Sequence, residues 1–281
     1  MANGHERARR ARLGPAARAG KVVVPVTRSA PPRPMPSTSG FEPIDLIAVA
    51  LFFASWAVHA LVVSRSPLRR RTLSHAMHAY RFRWMENAVR RDSKMVDGLI
   101  QNSLQQGVLF FASTSILVIG VLLAGLGAAE QAVLVLGDLP LTGTDTRLEW
   151  ELKLLLVVGI VTYAFFKFAW SYRLFNYVII LIGAGPDRGA REAAPDAAEL
   201  DAWSTKLGKL HAVAAYHFTA GIHAYFHALS AMAWLLSPWL FVAATFWVSL
   251  VLYRRAFGSR FLQILTDRDD GDGVPEPRTG A

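Results

Sequence analysis

Residues 210–253 read LHAVAAYHFTAGIHAYFHALSAMAWLLSPWLFVAATFWVSLVLY, and how this block is divided decides the fold. Its 44 residues include no Asp, Glu, Lys or Arg. As one straight helix it would be about 66 Å long at 1.5 Å per residue, against a hydrocarbon core of about 30 Å. Two passes fit that slab, with the reversal at Leu236-Ser237-Pro238-Trp239, and Pro238 suits the first turn of a new helix. Two passes also return Arg254, Arg255 and Arg260 to the side that carries the other basic loops. The expected spans are therefore about 210–236 and 238–253. A single kinked helix is the alternative.

The rest of the chain follows the same logic. It is 53% hydrophobic with a mean hydropathy of +0.29, and the excess falls in blocks long enough to cross a bilayer. IDLIAVALFFASWAVHALVV (44–63) is the first span, closed by the stop-transfer run SRSPLRRR. VLFFASTSILVIGVLLAGL (108–126) is the second, with Gln101, Asn102, Gln105 and Gln106 at its start. The third covers 152–182. The expected fold is all-α: a polytopic transmembrane helical bundle of about five spans, or four if the last block is one kinked helix.

The stretch between the first two spans holds nine Lys/Arg against three acids from Ser64 to Asp97. Within it Leu73, Met77, Tyr80, Trp84 and Ala88 recur at three- and four-residue steps. This spacing predicts an amphipathic helix over 72–96, its opposite face basic through Arg81, Arg83, Arg90 and Arg91, lying on the inner surface against anionic lipid. The loop from Gly127 to Trp150 has one Arg and four acids, so it reads as outer. The expected topology is N-terminus out and C-terminus in, in a cell membrane of the bacterial inner-membrane type.

Residues 1–40 are Arg-, Pro- and Ala-rich and read as a disordered tail; the domain proper is 41–265, and 266–281 is an acidic disordered tail. An exported N-terminus conflicts with eight Lys/Arg in that first tail, unless charges distant from the span do not count or Met35 is the true start. The tail TDRDDGDGVPEPRTGA lacks the spacing of a calcium loop and its closing Glu. There are no cysteines, which excludes disulfides, thiolate metal sites and cysteine nucleophiles. The net charge of +9 clusters beside the spans, where lipid explains it, and no nucleic-acid motif accompanies it.

Three stretches together carry a family likeness: RRDSKMVDGLIQNSLQQGVLFFASTSILVIG (90–120), KFAWSYRLFNYVIILIGAGP (167–186) and SPWLFVAATFWVSLVLYRRAFGSR (237–260). They resemble the bacterial and plant membrane family catalogued as domain of unknown function 599, over roughly residues 43–265. The resemblance implies a fold and a location and supplies no catalytic residues. It also implies Arg at the position of His223 in many relatives, and an aromatic run that His227 interrupts here.

Two groups of polar residues stand out. Lys167, Arg173 and Asn176 lie in an otherwise apolar run. Counted from Leu154, Lys167 is about 20 Å along the span and Arg173 about 28 Å. Arg173 reads as snorkelling among Trp170, Tyr172 and Tyr177. Lys167 reads evenly as a snorkelling side chain or as part of an inward-open polar cavity for an anionic headgroup or small anion. On the other block, Tyr216, His223 and His227 share one helical face within about 60°, while His217 points away. His223 and His227 are spaced to ligate one transition metal, and a b-type haem would use His59 as its remote axial partner. Histidines hydrogen-bonding across helices are the commoner reading of an isolated pair. Ser113-Thr114-Ser115 and the glycines near them read as helix packing, and Asp97 with Gln101 as the start of the second span.

No spacing of nucleophile and base suggests an enzyme. Three function classes follow. The first is a structural or accessory membrane protein, as a homo-oligomer or part of a membrane complex. The second is a small transporter or anionic-lipid-binding protein using Lys167 and Arg173. The third is a haem or metal protein using His223 and His227.

Overall fold

A computed structural model describes residues 41–65, 72–131, 146–186 and 196–258. The readings of the 1–40 tail, of Met35 and of the 266–281 tail fall outside the described residues. Among these residues the chain is all-α, with no strand. The helices are α1 (Pro43–Arg65), α2 (Leu73–Arg90), α3 (Met95–Gly127), α4 (Arg147–Gly183), α5 (Ala197–Met232) and α6 (Pro238–Phe257).

The polarity of α3 is turned inside out. Its buried stripe steps by three and four residues through Asp97, Gln101, Gln105, Val108, Ala112 and Ser115. Its exposed side carries Leu99, Phe110, Leu117 and Val121, each more than 60% exposed. Such a face is stable in hydrocarbon and not in water, and the inward polar groups avoid lipid. Four helices, α1, α3, α4 and α6, are long and apolar enough to cross a membrane, and the fold is a transmembrane helical bundle.

The last apolar block is two helices. After Met232 the chain tightens into a 3-10 turn at Ala233–Leu235, and the Ser237 N–H reaches back to the Ala233 carbonyl at 3.2 Å. Ser237 is extended and Pro238 opens α6, where its missing N–H costs nothing. Trp234 pins this turn. Its indole N–H donates to Asp45 Oδ1 at 2.6 Å, its ring stacks on Phe241, and Lys153 Nζ lies 5.5 Å above it. The single kinked helix is thereby replaced by a reversal. The helix α5 is the one left outside the apolar four, because its covered faces hold Ser204, His211, His227 and Ser230.

The helices extend beyond the expected spans where polar residues turn to the interior or cap an end. The helix that contains the expected 108–126 span, α3, begins at Met95, since Gln101 and Gln105 face the interior and give the helix no reason to stop. The third begins at Arg147, where a capping box pairs Thr146 with Glu149. The surface helix ends at Arg90 and not at 96, because Arg91 is already extended.

Helix α5 packs along α4 and beneath α2, and α1 pairs with α6. Two glycines set how closely α5 is approached. A Cβ at Gly221 would collide with the Phe168 ring of α4, and one at Gly208 with the Phe82 ring of α2. Helix α2 is further tied by Arg90 to Asp201 at 2.6 Å. Its packed face holds Trp84 and Ala88 of the predicted stripe and widens to Phe82, Met85 and Val89.

Candidate functional site

The helix α1 reaches α5 through long side chains. Phe52 and Trp56 both touch His227, and His59 meets His223 with ring centroids 4.8 Å apart. Opposite them, α5 presents short residues, Ala212, Ala215 and Ala220. Long struts against a short wall leave a cavity of about 640 Å³. The α2 helix closes its basic end with Ser74, His75, His78 and Arg81. Lys209, Tyr216, Thr219 and His223 come from α5, Tyr163 from α4, and Trp56 and His59 from α1.

The electrostatics are one-sided. Arg81 and Lys209 line the cavity, and among the described residues no carboxylate does. Neither cation has an ion pair among the described residues. Burial pulls the Arg81 guanidinium below its ordinary pKa, yet an arginine stays protonated. A partly desolvated cation without a counter-charge favours an anion beside it.

Helix periodicity explains why these residues converge. Lys209, Ala212, Tyr216, Thr219 and His223 follow one another at three- and four-residue steps on α5, and His75, His78 and Arg81 do so on α2. The spacing along α2 predicts Arg81 on a basic outer face with Arg83, Arg90 and Arg91. The structure leaves those three exposed and turns Arg81 to the cavity. The 75-78-81 spacing was the available signal, and Lys209 carried none by itself.

The residues singled out from sequence have separate surroundings. Lys167 is half-buried with Nζ 5.2 Å from the centre of the Tyr163 ring. Arg173 is exposed, donates from Nε to the Tyr177 hydroxyl at 2.7 Å and covers Trp170. Asn176 accepts from Gln105 Nε2 at 2.8 Å. None of the three lines the cavity.

The histidine pair is also divided. His223 faces the cavity, whereas His227 is fully buried and stacked on Trp56 at 4.9 Å. His217 lies away, near Trp170. Among the described residues no three His, Asp or Glu gather to hold a metal. The His59 and His223 rings touch, so a haem macrocycle does not fit between them as they stand.

The remaining polar groups serve packing. Thr114 and Ser115 donate to backbone carbonyls one turn back, and Ser115 also bonds Tyr225. Asp97, in the first turn of α3, accepts from Trp84 and Arg91.

No curated protein and no solved structure matches the chain. A family profile does, across residues 47–261, which is more than half of the chain and contains nearly all of the bundle and every residue that lines the cavity. With its apolar-faced helices and the three motif stretches inside that range, the chain belongs to the family described as protein of unknown function, DUF599.

Proposed function

We propose that this is a non-enzymatic, accessory membrane protein that holds the anionic headgroup of a lipid in the cavity between α1, α2 and α5. The observation that carries the reading is the pair Arg81 and Lys209 lining a 640 Å³ cavity in which no described residue supplies a carboxylate. The size is that of a ligand pocket and exceeds a simple ion site. The basic end of the cavity lies under α2, the helix that sequence assigns to the membrane surface, so a headgroup reaches it from the leaflet.

The proposal includes an inner-membrane location of the bacterial type, with the N-terminus outside. In support, Lys94, Lys206, Lys209, Arg254 and Arg255 stand at the end of the bundle where α2 lies, while Glu130, Glu149 and Glu151 stand at the other.

Native mass spectrometry of the purified protein tests the reading. The wild type is expected to retain anionic phospholipid in preference to phosphatidylcholine. Each surface Lys or Arg contributes about 1 kcal/mol to anionic lipid, so Arg81→Ala with Lys209→Ala is expected to lower retention at least tenfold. Undiminished retention by the double variant rejects the site.

A further inference from the structure

The cavity has two chemically different ends. Lys209 and His223 are 14 residues apart on α5, which is about 21 Å at 1.5 Å per residue. One end is cationic, with Arg81 and Lys209. The other is neutral and hydrogen-bonding, with His59, His223 and the hydroxyls of Tyr163 and Thr219. A phosphate held at the first end leaves the second unfilled.

What fills the second end is constrained by its polarity. His59 is buried beside His223, and its Nε2, enclosed by packing, makes no hydrogen bond among the described residues. An acyl chain would bury imidazoles and hydroxyls without partners, which is costly. A quaternary ammonium would seek an aromatic face. The Tyr163 ring already has Lys167 Nζ over it at 5.2 Å, and at Trp56 or Tyr216, the other aromatic rings of the lining, an ammonium would share a cavity whose charged side chains, Arg81 and Lys209, are both cations. Hydroxyl groups satisfy the end best, since each both donates and accepts and so matches either imidazole tautomer. Thr219 spends its proton on the Ala215 carbonyl at 2.9 Å, leaving its oxygen as an acceptor.

We propose that the cavity recognises a phosphate ester of a polyol, with the phosphate at Arg81 and Lys209 and the free hydroxyls at the His59–His223 end. This rests on the reading of the cavity as a headgroup site. The shared chemistry is that of a glycerol-type phosphodiester, whether on a lipid or free in solution.

The experiment uses the full chain in phosphatidylcholine nanodiscs doped with phosphatidylglycerol or with phosphatidic acid, which has the phosphate without the extra hydroxyls. The wild type is expected to retain phosphatidylglycerol at least fivefold better. Thr219→Val and His223→Gln are expected to bring that ratio near one while leaving phosphatidic acid bound. Arg81→Ala with Lys209→Ala is expected to lower both. Glycerol 3-phosphate in solution separates the sources: displacement of the lipid assigns recognition to the ester itself, and no displacement assigns it to the membrane-borne form. Equal retention of the two lipids by the wild type, or an unchanged ratio in both folded variants, overturns the polyol proposal alone. Retention of neither lipid overturns the headgroup reading beneath it.

Discussion

Trp84 of α2 donates its indole N–H to Asp97 Oδ1 of α3 at 2.7 Å, and Arg91 reaches the same oxygen at the same distance. One fully buried carboxylate thus fastens the surface helix to the bundle across the turn at 91–94. Trp84 also lies edge-on to His211 of α5, so a single side chain links three helices.

Removing this fastening is expected to loosen α2. Asp97→Ala leaves the half-buried Trp84 indole N–H unpaired, and hydrogen bonds to charged groups contribute about 1.5–3 kcal/mol. Trypsin is then expected to cut after Arg83 or Arg90 severalfold faster than in the wild type, read by peptide mapping in detergent. An unchanged digestion rate contradicts the role.

Close approach at Gly221 makes a second prediction. Gly221→Ala pushes a methyl into the Phe168 ring, and overpacking of this kind costs about 1–3 kcal/mol. Thermal unfolding in detergent is expected to fall by several degrees. Phe168→Leu placed on top should restore part of the loss. If the two changes add without rescue, the glycine is not there to admit the ring.

The Trp234–Asp45 bond at 2.6 Å predicts a coupled pair. Trp234→Phe and Asp45→Ala should each destabilise, and the double variant should lose less than their sum by at least about 0.5 kcal/mol. A double-mutant cycle on unfolding midpoints measures it.

The absence of cysteine makes orientation directly measurable. Ser93→Cys, on the exposed turn between α2 and α3, is expected to react with an impermeant maleimide only from the cytoplasmic side. Glu130→Cys, beyond α3, is expected to react only from outside. Reversed labelling would invert the topology and move the cavity to the other leaflet.

Lys167 drew attention as a charge in an apolar run, yet its ammonium lies over Tyr163 and outside the cavity. Lys167→Met is therefore expected to keep anionic-lipid retention within twofold of wild type, where the Arg81/Lys209 change is large. The comparison distinguishes the cavity from the third-span polar group.

Apolar runs made the helices legible, because every span must satisfy its backbone internally and be apolar outside. Pro238 likewise marked its reversal. Helix starts were less legible: Gln101 and Gln105 look like the end of a span in one dimension, and only packing shows that Gln101 is fully buried and Gln105 faces inward to Asn176. The cavity was legible in halves. His59 and His223 drew notice as ligands, and the structure brings their rings together. Arg81 and Lys209 are 128 positions apart in sequence, and no local pattern joins them.

The polarity of α5 has a consequence for how the chain is made. A segment with Ser204, His211, His227 and Ser230 on its covered sides partitions poorly from the translocon into lipid by itself. It is joined to the more apolar α6 by only the turn that Trp234 fastens. The two are best inserted as one hairpin, with Asp45 of α1 and Lys153 of α4 already in place to receive the indole. The order of synthesis supplies this, since both acceptor helices leave the ribosome before Trp234 does.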